Sequence, residues 1–267
     1  MRLRLSLAAA VLSLLATPAS SHTLYVLPSH FVISTDSSWI TADLSAANMT
    51  FQADKGVSPA NFKLYLPDGT VQGAAASHQG KRKSVVDVEL TTEGTYRFEL
   101  GGPARYFTSY QLNGERKRLM ADKIARAATL PEGAEQVQTI QSRSKAISYV
   151  TVKQPSDKVV TPRGEGLELT TSLHPADIVA GEPLTVTLLL DGKARAGVAI
   201  ELSFDGENYR DDAMRRQGET DSKGQFSFTP ATAGRYLLQA RYSADIASDK
   251  ADRISEALTW SFEAALP

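Results

Sequence analysis

The chain has no cysteine and only four histidines among its 267 residues. Without cysteine, disulfide stapling, thiolate metal ligation, a cysteine nucleophile and lipid attachment at a lipoprotein signal are all excluded. An excess of charge is missing too, because 29 basic side chains stand against 30 acidic ones. No global field recruits nucleic acid, and no nucleic-acid partner is expected. The sequence also lacks a Gly-x-Ser-x-Gly elbow, a His-Glu-x-x-His pair and a phosphate-cradling glycine loop. The expectation is a protein that is not an enzyme.

Long apolar runs are scarce, and the single one lies at the start. Arg2 and Arg4 precede the apolar stretch 5–16, and the small residues Thr17 to Ser21 follow. That is the charged, apolar and cleavable order of a secretory signal. At about a dozen residues the run falls short of the roughly 20 that span a bilayer, so residues 1–21 are predicted to be removed. A cut after Ser21 has Ala19 and Ser21 as its small flanking residues and makes His22 the new amino terminus; a cut after Ala19 is nearly as acceptable. The expected product is a periplasmic protein with no transmembrane segment after signal cleavage.

What remains is rich in strand signals. Short alternating segments such as Trp39 to Leu44, Val85 to Leu90 and Thr95 to Leu100 lie between turn residues, and the same grammar returns after residue 165. Leu64-Tyr65-Leu66-Pro67-Asp68-Gly69 and Leu188-Leu189-Leu190-Asp191-Gly192 both end a strand in Asp-Gly, whose tolerance of positive φ suits a tight reversal. Gly94-Thr95-Tyr96 and Gly234-Arg235-Tyr236 each look like the entry to a late sandwich strand, where a tyrosine hydroxyl ties down a corner. The predicted fold class is mainly β, with two immunoglobulin-like β-sandwich domains and a short helical insertion between them. An N-terminal sandwich is expected over 22–111, a helix, strand and linker over 112–164, and a C-terminal sandwich over 165–267. The helix is placed on Gly114 to Leu130, a run of good helix formers ending before Pro131. Its basic cluster, Arg116, Lys117 and Arg118, reads as a solvated face. The linker is placed on the Pro- and Gly-containing stretch 154–166.

Imidazole is the usual nitrogen ligand for nickel, copper, cobalt and zinc where thiolates are lacking, so His22, His30, His78 and His174 are the candidate metal ligands. If His22 becomes the amino terminus, its α-amine and ring can close a chelate on one divalent ion; otherwise it merely leads the first strand. His30 sits at a turn after that strand, His78 in a polar loop, and His174 before Pro175, where a structural hydrogen bond is the ordinary expectation. Asp211, Asp212 and Asp221 read as turn formers, because the spacing of a calcium loop is missing.

The residues after the signal, Ser21-His22-Thr23-Leu24-Tyr25-Val26-Leu27-Pro28, resemble the Ala-His-x-(Phe/Leu)-Trp-(Leu/Ile)-x-Pro opening of domain of unknown function family 4198. Arg105-Tyr106-Phe107-Thr108, Ser144-Lys145-Ala146, Leu167-Glu168-Leu169, Pro175 to Leu184 and Thr220 to Phe228 are similar to later segments of that family in the same order. The resemblance implies a periplasmic component of nickel or cobalt uptake with an immunoglobulin-like or carboxypeptidase-regulatory-like carboxy-terminal domain. Of the metal-associated features it carries over only His22, and Tyr25 stands where the family's aromatic partner is expected.

Three functions follow as expectations. The first is an accessory or carrier protein in which His22 captures a divalent ion for a membrane transporter or receptor component. The second is a metal-independent adhesion or scaffold module for protein or glycan partners. The third is an oxidative copper centre, which requires another histidine beside His22.

Overall fold

A computed structural model describes residues 22–267. The predicted signal segment, residues 1–21, lies outside the described residues. The first strands are β1 (Thr23–Pro28), β2 (Val32–Ile33), β3 (Ser38–Ala47), β4 (Lys55–Gly56), β5 (Phe62–Tyr65), β6 (Val71–Gln72) and β7 (Ala76–Gln79). Next come β8 (Ser84–Leu90), β9 (Gly94–Gly101), β10 (Arg105–Leu112), β11 (Glu115–Leu119), the one-turn helix α1 (Lys123–Arg126) and β12 (Glu135–Val152). The remainder is β13 (Leu167–Thr171), β14 (Leu184–Leu190), β15 (Lys193–Ala194), β16 (Ala199–Phe204), β17 (Arg216–Glu219), β18 (Gln225–Phe228), β19 (Gly234–Asp245) and β20 (Arg253–Ala264).

These strands make three sheets. One has the order β1-β3-β8-β7 with β4 on β3, another β13-β14-β15 with β18 on β14, and an 11-stranded sheet runs β17-β16-β19-β20-β12-β9-β5-β6 with β2 and the β10-β11 hairpin also on β12. The large sheet is the inner wall of both sandwiches. Its β9-β5 end faces the β1-β3-β8 sheet across a core that includes Ile40, Leu44, Leu64, Val86 and Phe98. Its β16-β19-β20 end faces β13-β14 across Leu184, Val186, Leu188, Trp260 and Phe262.

Strand β12 joins the halves. It pairs antiparallel with β9 through Tyr149 to Val152 and parallel with β20 through Ile140 to Ser148. Because successive side chains point to opposite faces, Ala146, Val150 and Val152 enter the first core while Ile147 and Tyr149 enter the second. That explains why Ala146 to Val152 reads as a run without clean alternation, as a strand buried on both faces does. β1 is shared in the same way. Val26 fills the first core, while Tyr25 and Leu27 pack with Phe31, Ala47 and Leu237 of β19. The aromatic at position 25 thus has a packing role, edge-on to Phe51 at 5.4 Å between ring centres.

Both tyrosine corners are present. The Tyr96 hydroxyl donates to Thr92 O at 2.8 Å and accepts from Thr92 N at 2.8 Å; Tyr236 does the same with Thr232 at 2.7 and 3.2 Å. The Asp191-Gly192 reversal also forms as read, with both residues at positive φ between paired Leu190 and Lys193.

The expected helix over Gly114 to Leu130 does not form. Asn113 and Gly114 adopt φ of 54° and 79°, close a two-residue hairpin, and send Glu115–Leu119 back along β10. Asn-Gly is a strong short-range hairpin signal, and here it overrides the modest propensity of Glu, Arg, Lys and Leu for helix. Only Lys123–Arg126 is helical, capped by Asp122, whose carboxylate accepts from Ala125 N. The stretch 154–166 is likewise no free spacer. Ser156 is bonded to Thr95, and Arg163 is paired with Glu99.

Candidate functional site

The four histidines are dispersed. His22 and His30 stand at opposite ends of β1, separated by 6 residues of regular strand, so about 20 Å of extended chain divides them. His78 lies on the edge strand β7, exposed, and pairs with Val85. Val85 pairs with Asp43 of β3, and Asp43 with Leu27 of β1, so His78 lies three strands from β1. His174 is structural, as its position before Pro175 suggests. Its Nδ1 accepts from Ala176 N at 3.1 Å, and its Nε2 meets Thr95 Oγ1 at 3.1 Å. Among the described residues no group of three or more His, Cys, Asp or Glu side chains is arranged to hold a metal ion. The second histidine that a copper centre needs is not brought to His22, whose ring contacts Asn48 at 3.4 Å.

The structure instead builds a polar site at the seam of the two sandwiches. On β9, Tyr96, Phe98 and Leu100 enter the first core, so Arg97 and Glu99 point out of it. On β5 the same alternation turns Lys63 and Tyr65 outward, opposite Glu99 and Arg97 respectively. An outward face of a lone sandwich would be solvated, but here the second sandwich covers it. Arg97 is 3% exposed and its Nη2 lies 2.8 Å from Glu99 Oε2. Arg163, from the covering segment, donates to the same oxygen at 2.7 Å while stacking its guanidinium 4.4 Å from the Tyr65 ring centre.

From the opposite side β13 contributes Glu168. Leu167 and Leu169 take the core positions of this strand, which turns the carboxylate between them into the seam, 1% exposed. It accepts from the backbone N–H groups of Arg163, Gly164 and Glu165 at 2.7–3.1 Å. The turn over the site is thereby folded around one buried acid.

Between these walls is a solvent-open cavity of about 480 Å³. Strand β12 supplies Arg143 and Lys145 to it, while Ser142 and Ser144 alternate into a second groove on the far side of the Gly101 to Ala104 loop. Burial lowers the pKa of the Lys145 ammonium, with Glu99 acting against the shift. Burial pushes the Glu99 carboxyl up, and the Arg97 and Arg163 guanidiniums outweigh it, leaving it below the ordinary glutamate value. A Cβ at Gly101 would stand 3.2 Å from Ser144 O, a tight approach that a larger residue could make only if the backbone gave by a few tenths of an ångström. The arrangement presents cationic side chains and hydrogen-bond donors beside the buried Glu99 carboxylate.

The profile of the family described as a domain of unknown function, DUF4198, matches residues 19–244. The chain belongs to the DUF4198 family. Two segments that carry its resemblance to DUF4198, Leu167-Glu168-Leu169 and Ser144-Lys145-Ala146, supply the seam's buried carboxylate and ammonium. No curated protein matches the chain. Among solved structures it is similar to the D0-D1 domain of intimin, at 12% identity over 89% of this chain and 96% of that one, with a TM-score of 0.23. A DUF4785 family protein from Legionella pneumophila subsp. pneumophila str. Philadelphia 1 is similar at 11% identity, covering 81% of this chain and 50% of that one, with a TM-score of 0.25. The ectodomain of mouse nectin-like molecule 4 matches at 10% identity over 92% of this chain and 66% of that one, with a TM-score of 0.21. Among the described residues of this DUF4198 chain, no helix is long and apolar enough to cross a membrane.

Sequence reasoning missed the seam. The signal was present in Arg97 and Glu99, opposite charges at alternate positions on a strand whose other face is apolar, and in a lone acid between two core leucines at Leu167-Glu168-Leu169.

Proposed function

We propose that the chain is a non-enzymatic, metal-independent binding module of the bacterial periplasm, which engages a protein or glycan partner at the seam of its two sandwiches. The observation that carries this reading is the cavity itself, walled by the first sandwich, the shared strand β12, the connecting segment 163–165 and Asp191 of the second sandwich. Sites of this kind occur preferentially at such junctions. Rigid walls add to the case, since a ligand there meets residues whose rotamers are fixed by ion pairs and stacking.

Hydrogen exchange of the protein from residue 22 onward, with and without purified envelope glycan fractions and envelope proteins, tests it. Protection confined to residues 61–65, 99–105, 143–145 and 163–166 supports the module. Protection elsewhere alone, or none with any fraction, overturns it.

A second reading keeps the metal. His22 is exposed at the head of β1, where an amino-terminal chelate would be open to nickel, cobalt, copper or zinc and to a membrane transporter or receptor component. Titration of the mature, untagged protein and its His22→Ala variant with each metal decides the matter. Saturable one-to-one binding lost in the variant establishes the carrier, and identical weak heats in both remove it.

A further inference from the structure

Resting on the seam as the binding site, we propose that its cavity takes a small oxyanion-bearing sugar, one that carries a carboxylate or a phosphate. The argument is a count of committed groups. Of the three acids at the cavity, Glu99 is held by Arg97 and Arg163, Asp191 accepts from the Gly166 N–H at 2.8 Å, and Glu165 is exposed at its edge. Of its cations Arg163 is committed to Glu99, while Lys145, Arg143 and Lys63 keep donors to spare. Lys145, 7% exposed, donates to a single acceptor, Glu165 O at 3.2 Å. Arg143 forms a long ion pair with the buried Glu256, its Nε 3.9 Å from Oε1 and so beyond hydrogen-bond reach. Lys63, facing the same cavity, forms no ion pair or hydrogen bond among the described residues.

An ammonium carries three donors and a guanidinium five, so these three side chains hold several N–H groups without a protein hydrogen-bond acceptor, those of Lys63 turned to solvent. Two of them come from β12 and one from β5, on either side of Glu99 on β9. A buried ammonium with open donors is a place where an anion restores lost solvation, through hydrogen bonds that are short and strong because both partners are charged. Carboxylate and phosphate share that chemistry. The rest of the wall is mixed, with Asn61 and the Gly101-Gly102 backbone as polar parts and Tyr65, Pro103 and Ala104 as apolar ones. A volume of about 480 Å³ lies within the range of small-molecule sites, and a mixed wall suits a sugar, which offers hydroxyls at its edge and apolar C–H groups on its ring face.

The test is titration calorimetry of the protein from residue 22 onward with glucuronate, glucose 1-phosphate, inorganic phosphate and uncharged glucose. The account expects glucuronate or glucose 1-phosphate to bind more tightly than inorganic phosphate, glucose to give no heat, and affinity to fall as salt rises. Which of the two charged sugars binds names the source of the oxyanion. Lys63→Gln alters an exposed side chain with no partner to lose and is expected to weaken binding about tenfold. Arg143→Gln is expected to do the same, and Arg143→Lys to recover part of it. Unchanged affinity in Lys63→Gln and Arg143→Gln, binding of glucose as tight as that of the acids, or no binding of any anion overturns the proposal. Seam protection by an envelope fraction that neither glucuronate nor glucose 1-phosphate competes away also overturns it, while leaving the seam as the binding site.

Discussion

Glu168 gives the sharpest test of how the seam is held together. Its carboxylate collects three backbone N–H groups, from Arg163, Gly164 and Glu165. Hydrogen bonds to a charged acceptor contribute about 1.5–3 kcal/mol each, which bounds the loss in Glu168→Ala at about 9 kcal/mol. The true loss is smaller, because residues 163–165 are exposed and their N–H groups can return to water. A value of about 3–5 kcal/mol, typical of breaking a buried charged network, is expected. At about 2–4 °C per kcal/mol for a chain of this size, the melting temperature falls by about 6–20 °C. Glu168→Gln keeps one acceptor oxygen and is expected to lose roughly half as much. Calorimetric melting measures the global loss, and hydrogen exchange at 163–166 measures the local one. A Glu168→Ala protein that melts within about 2 °C of the parent, with unchanged exchange in that turn, refutes the reasoning.

The two tyrosine corners are equivalent in geometry, so Tyr96→Phe and Tyr236→Phe should each cost about 1–2 kcal/mol, read as chemical denaturation midpoints. Trp260 is fully buried and stacks on Phe262 at 4.3 Å between ring centres. Trp260→Ala should therefore cost about 3–5 kcal/mol, and because β12 belongs to both cores, circular dichroism and tyrosine fluorescence should report one shifted transition rather than two. Tyr25 has its pKa pushed from the ordinary 10 up to about 12, chiefly by burial. A raised folded pKa means that the stabilisation is complete below pH 10 and is lost as pH rises towards 12; the loss is up to about 2.5 kcal/mol. Tyr25→Phe should remove that part of the alkaline decline, and an identical pH profile in both proteins would contradict the assignment.

Much of the architecture was legible because the strands obey local rules. Tyr96 and Tyr236 follow glycines at positive φ and close their corners within four residues, and Asp191-Gly192 needs only its own backbone preferences. The failure at 114–130 was also local. Propensity was weighed over the whole run, whereas the two residues Asn113 and Gly114 decided its direction. The seam was harder to see because its meaning is tertiary. Nothing within Thr95 to Leu100 says that the outward pair Arg97 and Glu99 will be covered, since the cover comes from residues 163–168, more than sixty positions later. Histidine scarcity drew attention to residues that the fold sets apart, while the chemistry that it gathers is carried by arginine, lysine and glutamate.

The absence of cysteine allows one direct measurement of whether the seam is where a ligand binds. A single Ala104→Cys, at the rim of the cavity, can carry an environment-sensitive fluorophore, with Ser37→Cys at the opposite end of the first sandwich as the control. Added envelope glycan or protein fractions should change the emission at position 104 in a saturable way and leave position 37 unchanged. No response at 104 to any fraction, or equal responses at both positions, would contradict the account.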